Sequence, residues 1–487
     1  MEYNRINIKL LKTLEGYYLF DVNTNNIIEI NESIFNYLEN SMYGLIDDKK
    51  NRILDEDDAK VLSKLIENGL LTEIKEIQIE HSMTDYLEDI LNNELAHLCL
   101  QVTQNCNLRC EYCVFSGSYV NRVHTNRRMD WNVAKRAIDF LFEHSGNADK
   151  DILIGFYGGE PILEIELIKK CIEYAQSIFR DKNIQFNLTT NATVLDDNII
   201  DYLLQKNVSI TISLDGPEKV QNLHRKRIDG TGSYDKVMKN IEILLSKREY
   251  ELRGNIIFNS VLSDDVDLKE VIDFFKIDKR VNSFTHQISL VNDVNLISEK
   301  KHLSNKNRAV REYEKFKAFL YGIGRIPKNM ISQMGFSYVY SILDNFYDRP
   351  IGNKNIKKAH PGGPCIPGQH KLFCDVDGNL YPCERVSETS QIMKIGDIYK
   401  GFDIDAAKRI LNVGKVTEKE CSKCWAFDFC TQCIAFADGG TDISREKRLR
   451  ECGRIKRDIE EMLKDYIVLQ KKKCEFEKFL NVKGEII

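Results

Sequence analysis

The chain has 487 residues, enough for two to four domains that each bury a core. Its 43% apolar and 29% charged residues are ordinary for a globular protein, and the formal net charge of −5 gives no reason to expect a nucleic-acid partner. The N-terminus lacks signal-peptide features, and no apolar run approaches membrane-spanning length. We therefore expect the 14 cysteines to serve mainly as metal or cluster ligands in a cytoplasmic protein rather than as disulfides, with Cys99, Cys171 and Cys474 structural or incidental.

Residues 1–80 are predicted to form a small separate unit of strands and two amphipathic helices. Asn31 is placed to cap the first helix, the second ends at Gly69, and Leu70–Thr72 is predicted to return as a short strand. The earlier strand candidates are Ile6–Leu11, Tyr17–Val22 and Asn26–Ile30. This order of elements resembles the winged-helix element of peptide-modifying enzymes, which implies leader-peptide binding by β-augmentation.

Two alternatives exist for this N-terminal unit: a plain cap on the following domain, or a nucleic-acid-binding winged helix. A run of carboxylates disfavours the second alternative, because it would repel phosphates. The carboxylates are Asp47, Asp48, Asp55, Glu56, Asp57 and Asp58.

Residues 81–95 are predicted to be a polar helical linker, and strands and helices then alternate over residues 96–290. The strand candidates are 97–103, 152–157, 184–190, 208–214, 254–260 and 284–290. The helical patterns between them include Asn132–His144, Glu164–Arg180, Asp196–Lys206 and Tyr234–Lys247. Six β-α units of this spacing predict an α/β domain with a parallel sheet.

A triplet of cysteines follows the first of these strands, at Cys106, Cys110 and Cys113. Thiolates are the usual ligands of iron–sulfur clusters, and a [4Fe–4S] cluster normally takes four, so a triplet leaves one iron open. A zinc site is the alternative. The position favours the cluster, because the triplet lies on a loop at the carboxyl end of a strand, where barrel-like α/β folds place their chemistry.

This Cys-x3-Cys-x2-Cys spacing, with Tyr112 directly before the last cysteine, resembles the signature of the radical S-adenosylmethionine (SAM) enzymes. The resemblance implies a partial (β/α)6 barrel whose catalytic cysteines hold a [4Fe–4S] cluster. It also implies that the amino and carboxylate groups of SAM chelate the open iron. Reductive cleavage of SAM would then give a 5′-deoxyadenosyl radical that abstracts a substrate hydrogen.

Residues after the next strands are candidates for contacts with SAM. Gly158 and Gly159 allow close backbone approach, and the carboxylate of Glu160 that follows them suits an ammonium group. The resemblance implies that this segment receives the SAM amino group. It further implies contacts from the third and fourth strands to the ribose and carboxylate. A carboxylate clamp is carried over more weakly, because Arg225 stands where the family has Asp. The candidates are Gly158, Gly159, Glu160, Asn187, Ser213 and Arg227.

Residues 291–360 are predicted to be a helical bridging region, and cysteines return densely over residues 361–455. Their spacing resembles the SPASM domain, which implies two auxiliary [4Fe–4S] clusters and three clusters in all. The resemblance assigns Cys421, Cys424, Cys430 and Cys452 to an outer cluster and Cys365, Cys383 and Cys433 to an inner one. Whether Cys374 is the fourth inner ligand stays open, and two zinc ribbons are the alternative. Residues 456–487 are predicted to be a helical tail.

The combined resemblance implies a radical SAM maturase that installs thioether crosslinks in a cysteine-rich precursor peptide bound through its leader. It would draw electrons from a one-electron reductant such as flavodoxin or ferredoxin, without nucleic acid or membrane. Anaerobic sulfatase maturation is one alternative, because Glu384 stands where that subfamily has an Asp base. Carbon–carbon crosslinking of a peptide and a non-catalytic electron-transfer role are the others.

Overall fold

The computed structural model describes residues 6–43, 54–120, 122–148, 151–247, 255–291, 294–297, 304–352, 356–362 and 365–480. Asp47, Asp48 and the end of the predicted tail from residue 481 lie outside these ranges. None of the described helices combines the length and apolar character needed to cross a bilayer.

The strands and helices are numbered in chain order. The strands are β1 (Ile8–Thr13), β2 (Gly16–Asp21), β3 (Asn26–Ile30), β4 (Gln78–Ile79), β5 (His97–Thr103), β6 (Ile152–Gly158), β7 (Ile184–Thr190), β8 (Ser209–Ser213), β9 (Ile256–Leu262), β10 (Thr285–Leu290), β11 (Lys358–Ala359), β12 (Leu372–Cys374), β13 (Asn379–Tyr381), β14 (Gly396–Asp397) and β15 (Gly401–Phe402). The helices are α1 (Glu32–Tyr43), α2 (Glu56–Glu67), α3 (Leu87–Asn93), α4 (Trp131–Glu143), α5 (Ile165–Ile178), α6 (Asp197–Gln205), α7 (Glu218–His224), α8 (Tyr234–Lys247), α9 (Leu268–Ile277), α10 (Asn305–Gly322), α11 (Gln333–Phe346), α12 (Ile404–Leu411), α13 (Glu418–Cys421), α14 (Arg445–Arg450), α15 (Cys452–Lys471) and α16 (Glu477–Leu480).

The central sheet has ten strands in the order β10-β9-β8-β7-β6-β5-β12-β13-β14-β15. Strands β5 to β10 pair in parallel with their neighbours, which confirms the predicted α/β fold with six β-α units. Strand β12 joins the same sheet parallel to β5, and β13 to β15 follow antiparallel. The cysteine-rich C-terminal region therefore continues the sheet of the barrel.

The two faces of the parallel strands differ in polarity. Buried residues such as Ile154, Phe156 and Leu188 belong to the main core together with residues of the helices. The alternate positions include Gln101 and Asn187, which lie on the opposite face because side chains alternate along a strand. A parallel sheet that is covered by helices on both faces is usually apolar on both faces. Because this sheet has one polar face, we take that face to be the inner wall of the barrel, which is called the lumen below.

The N-terminal unit is a three-stranded antiparallel sheet, β1-β2-β3, packed on both faces. One face carries Leu19 and packs on helices α1 and α2. The other face carries Leu11 and Phe20 and packs on helices α11 and α15, with the Phe20 ring 5.8 Å from that of Phe429. The unit is thus built against the C-terminal helices, with Lys9 paired to Glu460 at 2.7 Å.

The predicted strand Leu70–Thr72 is wrong. Only an isolated bridge between Ile6 and Glu73 forms there. Leu71 adopts a left-handed backbone conformation with φ of 56°, and its N–H donates to Asp21 Oδ2 at 2.8 Å instead of to a strand. The buried Leu71 side chain enters the small core of the N-terminal unit.

Two helices differ from their predicted character. Helix α3 lies in the segment expected to be a polar linker, yet Leu87 and Leu91 are fully buried in the main core. Helix α7 was not among the predicted helices. Strand β9 begins at Ile256, which pairs with Ile210 of β8, and the predicted start at residue 254 lies outside the described residues.

Candidate functional site

The cysteine triplet lies on the loop that leaves the carboxyl end of β5. The Cys106 thiol accepts hydrogen bonds from Leu108 N–H at 3.4 Å and from Asn191 Nδ2 at 3.8 Å. Burial raises the pKa of Cys106 to about 12 and that of Cys110 to about 11, and it also raises the pKa of Cys113. A bound cation is what would favour the thiolate forms here.

Gly158 and Gly159 press the end of β6 against the backbone that precedes Cys106. A Cβ atom on Gly158 would lie 2.0 Å from Thr103 O, and one on Gly159 would lie 2.1 Å from Asn105 O. Gly158 also has a φ of 141°, which disfavours other residues. Backbone hydrogen bonds of 2.9 Å from Gly159 N–H to Thr103 O and from Glu160 N–H to Asn105 O close the contact.

Glu160 is a buried carboxylate beside this contact, only 1% exposed. Its Oε1 accepts from Ile162 N–H at 3.1 Å and Thr190 Oγ1 at 2.7 Å, and its Oε2 accepts from Asn191 N–H at 2.7 Å. Burial raises the pKa of Glu160 to about 7, against the opposing effect of these hydrogen bonds. The site therefore holds a carboxylate that would gain from an ammonium partner.

Arg225 and Arg227 both lie at the cysteine triplet, and the backbone of Arg227 forms an isolated antiparallel bridge with Leu108. Arg227 is exposed, whereas Arg225 is buried and lies 5.4 Å over the ring of Tyr112. Arg225 Nε donates to Asp215 Oδ2 at 3.0 Å, and the Tyr112 hydroxyl donates to the same oxygen. The positive charge of Arg225 also opposes the rise in the pKa of Cys110. The residue that departs from the family pattern thus lies beside the triplet.

Asn187 and Ser213 lie on the lumen strands, as their alternation predicted. Asn187 Oδ1 would be 2.5 Å from a Cβ on Gly155, so that glycine makes room for the amide. Ser213 is buried at the end of β8 and pairs in register with Asn259. The loop after β7 reaches the triplet through Asn191, which donates to the Cys106 thiol, and the loop after β8 reaches it through Asp215, which accepts from the Tyr112 hydroxyl.

Glu384 lies in the barrel near its β5–β12 seam. Its Oε1 accepts from Lys371 Nζ at 3.1 Å, while its buried Oε2 has no hydrogen-bond partner among the described residues. Burial, reinforced by the Glu384 charge, raises the pKa of the Cys99 thiol. Burial and the nearby Lys371 ammonium lower the pKa of His97 to about 4. A carboxylate with one unused oxygen is thus held beside a neutral imidazole and a protonated thiol.

Two of the predicted ligand thiols accept a hydrogen bond from the N–H two residues ahead: Cys106 from Leu108 at 3.4 Å and Cys433 from Ala435 at 3.5 Å. The backbone N–H two residues ahead also opposes the burial-induced rise in pKa at four further thiols, in the pairs Cys113–Phe115, Cys383–Arg385, Cys424–Ala426 and Cys430–Gln432. These bonds lower the pKa of the thiols against the effect of burial. Because an N–H donor stabilises a thiolate more than a thiol, the turns fit metal-bound sulfur.

The four thiols assigned to the outer set come together, at Cys421, Cys424, Cys430 and Cys452. Burial raises the pKa of Cys424, Cys430 and Cys452, and the charges of neighbouring thiols in the set raise it further. The Cys421 thiol also lies 3.2 Å from Thr417 Oγ1.

The inner set brings together Cys365, Cys383 and Cys433 but not Cys374. Burial raises the pKa of Cys383 to about 11, and the neighbouring Cys433 adds to this rise. Burial also raises the pKa of Cys433, and the neighbouring Cys365 adds to that rise. Cys374 is fully buried in the main core, and its thiol donates to Asp375 O at 3.6 Å. The groups whose charges act on the Cys374 thiol are Asp375 and Cys99, and none of the inner thiols is among them.

Across the described ranges, no three His, Cys, Asp or Glu side chains converge closely enough to hold a single metal ion. Zinc needs its sulfur ligands about 2.3 Å from one centre, whereas each thiolate of a four-iron cluster binds a different iron. Zinc and a four-iron cluster therefore require different spacings of the same thiols.

The sequence reading missed three groups of polar residues at these sites. They are the Asp215–Arg225 pair beside the triplet, Lys371 beside Glu384, and Arg448 beside the outer thiols. Asp215 lies two residues after the candidate Ser213, so its position was a usable signal. Nothing local distinguishes Lys371 or Arg448 from other basic residues, because both meet their partners only through the tertiary fold.

Comparison with known proteins places this geometry in a wider context. Residues 100–277 match the radical SAM superfamily. An uncharacterised protein, MJ0907, of Methanocaldococcus jannaschii is 37% identical over 152 residues, which is 31% of this chain and 49% of that protein. The chain thus spans about half of that relative's length.

Two further comparisons cover more of the chain. The cysteine-type anaerobic sulfatase-maturating enzyme of Clostridium novyi is 25% identical over 350 residues, covering 69% of this chain and 86% of that enzyme. The solved structure of native anSMEcpe with bound AdoMet superposes with a TM-score of 0.56 at 20% identity, covering 80% of this chain and 100% of that one. The structural match supports the fold.

Proposed function

We propose that the chain is a radical SAM enzyme, related to anaerobic sulfatase-maturating enzymes, that matures a cysteine-rich peptide by installing thioether crosslinks. The observation that carries the proposal is the inner set of three thiols. Cys365, Cys383 and Cys433 meet without Cys374, which leaves a [4Fe–4S] cluster there one protein ligand short within the described residues. A substrate cysteine is the natural fourth ligand.

Other residues would hold the remaining cofactors. The N-terminal triplet would hold the SAM cluster, Glu160 would bind the SAM amino group, and Asn187 and Ser213 would meet the polar parts of SAM. The four outer thiols would hold the second auxiliary cluster. When bound, SAM and its cluster supply a 5′-deoxyadenosyl radical that removes a substrate hydrogen, and the auxiliary clusters supply an acceptor for the surplus electron.

The lumen residues suit the proton transfer that thioether formation requires. The substrate thiol must lose its proton before its sulfur bonds to carbon. Glu384 Oε2 is buried and unpartnered among the described residues, and Glu384 is adjacent in sequence to Cys383. We assign it as the group that accepts this proton, with Lys371 holding the other carboxylate oxygen at 3.1 Å.

The N-terminal sheet supports a peptide substrate. Strand β3 is an edge strand of β1-β2-β3, and among the described residues no strand pairs with its outer edge. An extended leader could add there as a fourth strand, using main-chain hydrogen bonds for affinity. This is the role we propose for the unit, with the remainder of the precursor directed to the barrel.

The test is an anaerobic reaction of the reconstituted enzyme with SAM, flavodoxin or ferredoxin as reductant, and a cysteine-rich precursor. Mass spectrometry should show loss of two hydrogen atoms per crosslink, and the crosslinked cysteine should resist alkylation. A precursor without its leader should react more slowly. Deoxyadenosine release with an unchanged peptide would refute the substrate assignment.

Sulfatase maturation is a second candidate, favoured by the relationship to the C. novyi enzyme and by the lumen carboxylate Glu384. That reaction oxidises a cysteine or serine side chain to formylglycine. A peptide carrying a sulfatase motif distinguishes the two functions, because formylglycine formed from cysteine has lost its sulfur and reacts with hydrazides, whereas a thioether retains the sulfur.

A further inference from the structure

Arg448 is a buried cation with two unused donor groups. The residue is 1% exposed, on helix α14. Its Nε donates to Thr417 Oγ1 at 3.1 Å, but neither terminal amino group has a partner among the described residues. No carboxylate in the described ranges forms an ion pair with Arg448. Because an unpaired buried guanidinium is costly, an anion is expected beside it.

The groups around Arg448 are the thiols of the outer set. Its charge acts on Cys430 and Cys452, where it opposes the rise in pKa caused by burial. Thr417, which accepts from Arg448 Nε, lies 3.2 Å from the Cys421 thiol. Gln432 Nε2 bridges Arg448 O at 2.6 Å and the Cys452 thiol at 3.8 Å. One hydrogen-bond network thus joins the arginine to the outer ligands.

We propose that Arg448 is a positioning residue for the outer auxiliary cluster. Its two unpartnered terminal amino groups would donate hydrogen bonds to the sulfur atoms of the cluster, and its charge would raise the reduction potential of the cluster. A [4Fe–4S] cluster with four thiolates is anionic and becomes more negative on reduction. A fixed positive charge and N–H···S hydrogen bonds stabilise the reduced state more than the oxidised one. The outer cluster would then be the better electron acceptor.

The planar guanidinium is suited to this role. It presents several donors in a fixed fork, remains charged when buried, and is less strongly hydrated than an ammonium group. Two other basic side chains lie near these groups. The Lys456 ammonium opposes the rise in the pKa of Cys424 and Cys452. His360 is itself buried, and burial together with the Arg448 charge lowers its pKa to about 4. His360 Nε2 accepts from Gly414 N–H at 2.7 Å, so this imidazole is neutral and does not compete for the cluster.

The inference rests on the proposed cluster content of the outer set, but not on peptide crosslinking. The test compares Arg448→Gln with the wild type by iron and sulfide analysis and by anaerobic redox titration followed by EPR. Arg450→Gln is the matched control, because Arg450 lies on the same helix, is 68% exposed and pairs with Glu446 at 3.5 Å. Failure of peptide modification would not affect this readout.

We expect the Arg448→Gln enzyme to retain its iron and to lower the midpoint of one cluster signal. The reduction equilibrium constant of that cluster should fall at least tenfold, which is 59 mV for one electron. The other signals and the Arg450→Gln enzyme should match the wild type. Full iron content with all midpoints unchanged would overturn the proposal, as would zinc in place of iron in the outer set.

If Arg448→Gln loses iron, the Arg448→Lys variant is tested instead, because lysine keeps the positive charge but lacks the planar set of guanidinium donors. Pulsed EPR of protein labelled with 15N-arginine should then show one nitrogen coupling in the wild type that is missing from the lysine variant. Persistence of every coupling in Arg448→Lys would overturn the proposal, because the guanidinium would not contact a cluster.

Discussion

Replacing Gly159 with alanine should disable the SAM site without unfolding the barrel. The added Cβ would lie 2.1 Å from Asn105 O and 3.1 Å from Cys106 N, whereas ordinary contact begins at 3.4 Å. The two segments must therefore separate by about 1.3 Å, which stretches the 2.9 Å hydrogen bond from Glu160 N–H to Asn105 O. Overpacking of this kind typically costs about 1–3 kcal/mol.

The functional effect should exceed the loss of stability. A misplacement of about 1 Å can lower a rate by up to roughly 100-fold, and here the displaced backbone carries the first cysteine of the triplet. We expect reductive cleavage of SAM, measured as 5′-deoxyadenosine formation by the cluster-loaded enzyme, to fall by about 10- to 100-fold in Gly159→Ala. The auxiliary clusters should keep their iron.

Gly146→Ala is the matched control for this substitution. No atom lies within 4 Å of a Cβ built on Gly146, and its backbone does not have a positive φ. That variant should cleave SAM at the wild-type rate. If Gly159→Ala cleaved SAM within about twofold of Gly146→Ala, the claim that this close approach positions the cysteine loop would be refuted.

Three further outcomes are expected. Because burial raises the pKa of Glu160 to about 7, SAM affinity should be constant above pH 7 and fall about tenfold per pH unit below it, as protonation removes the acceptor for the SAM ammonium group. Glu160→Gln should bind weakly at every pH, as measured by equilibrium binding. Iron analysis should find full cluster content in Cys374→Ala but loss of one cluster in Cys383→Ala. Hydrogen exchange should slow in Asn26–Ile30 when the precursor binds, and not in β5.

Each outcome can be contradicted. A SAM affinity that does not change between pH 6 and pH 8 would remove Glu160 as the ammonium partner. Iron loss in Cys374→Ala would restore that thiol as a ligand. Protection confined to the barrel would place the leader away from β3.

Local patterns predicted much of this site because the chemistry depends on neighbouring residues. The cysteine triplet, the two glycines and the following Glu160 lie at the carboxyl ends of adjacent strands, so alternation and spacing were sufficient to place them together. The lumen positions of Asn187 and Ser213 followed from the period of two along a strand. Steric contact between the glycines and the β5 extension supplies the physical reason for the motif.

Other features depend on contacts between distant parts of the chain. Cys374 is 9 residues from both Cys365 and Cys383 in sequence, yet the pleat of β12 turns its thiol toward the core with Leu100 and away from the inner set. Arg225 carried the one visible departure from the family pattern, but its pairing with Asp215 depends on the loops that follow β8. Strand propensity alone also favoured a strand at Leu70–Thr72, but the Leu71 N–H donates a hydrogen bond to the Asp21 carboxylate instead of to a neighbouring strand.

The packing of the N-terminal sheet gives the proposed leader site a physical link to the clusters. Phe20 contacts Phe429, which directly precedes Cys430, and Lys9 lies 5.4 Å from the centre of the Trp425 ring, next to Cys424. The sheet that would hold the leader therefore forms one wall of the outer thiol site.

The inner thiols are linked along the chain to both the outer set and the barrel sheet, because Cys433 follows Cys430 by three residues and Cys383 follows β13. Strand β13 pairs with β12, and β12 pairs with β5, whose end leads to the SAM-cluster loop. A tethered peptide reaches a second site as an intramolecular event, with effective concentrations of about millimolar for a short flexible link. Leader binding at β3 would thus concentrate the cysteine-rich part of the precursor beside the inner thiols, so a weakly bound core could still react.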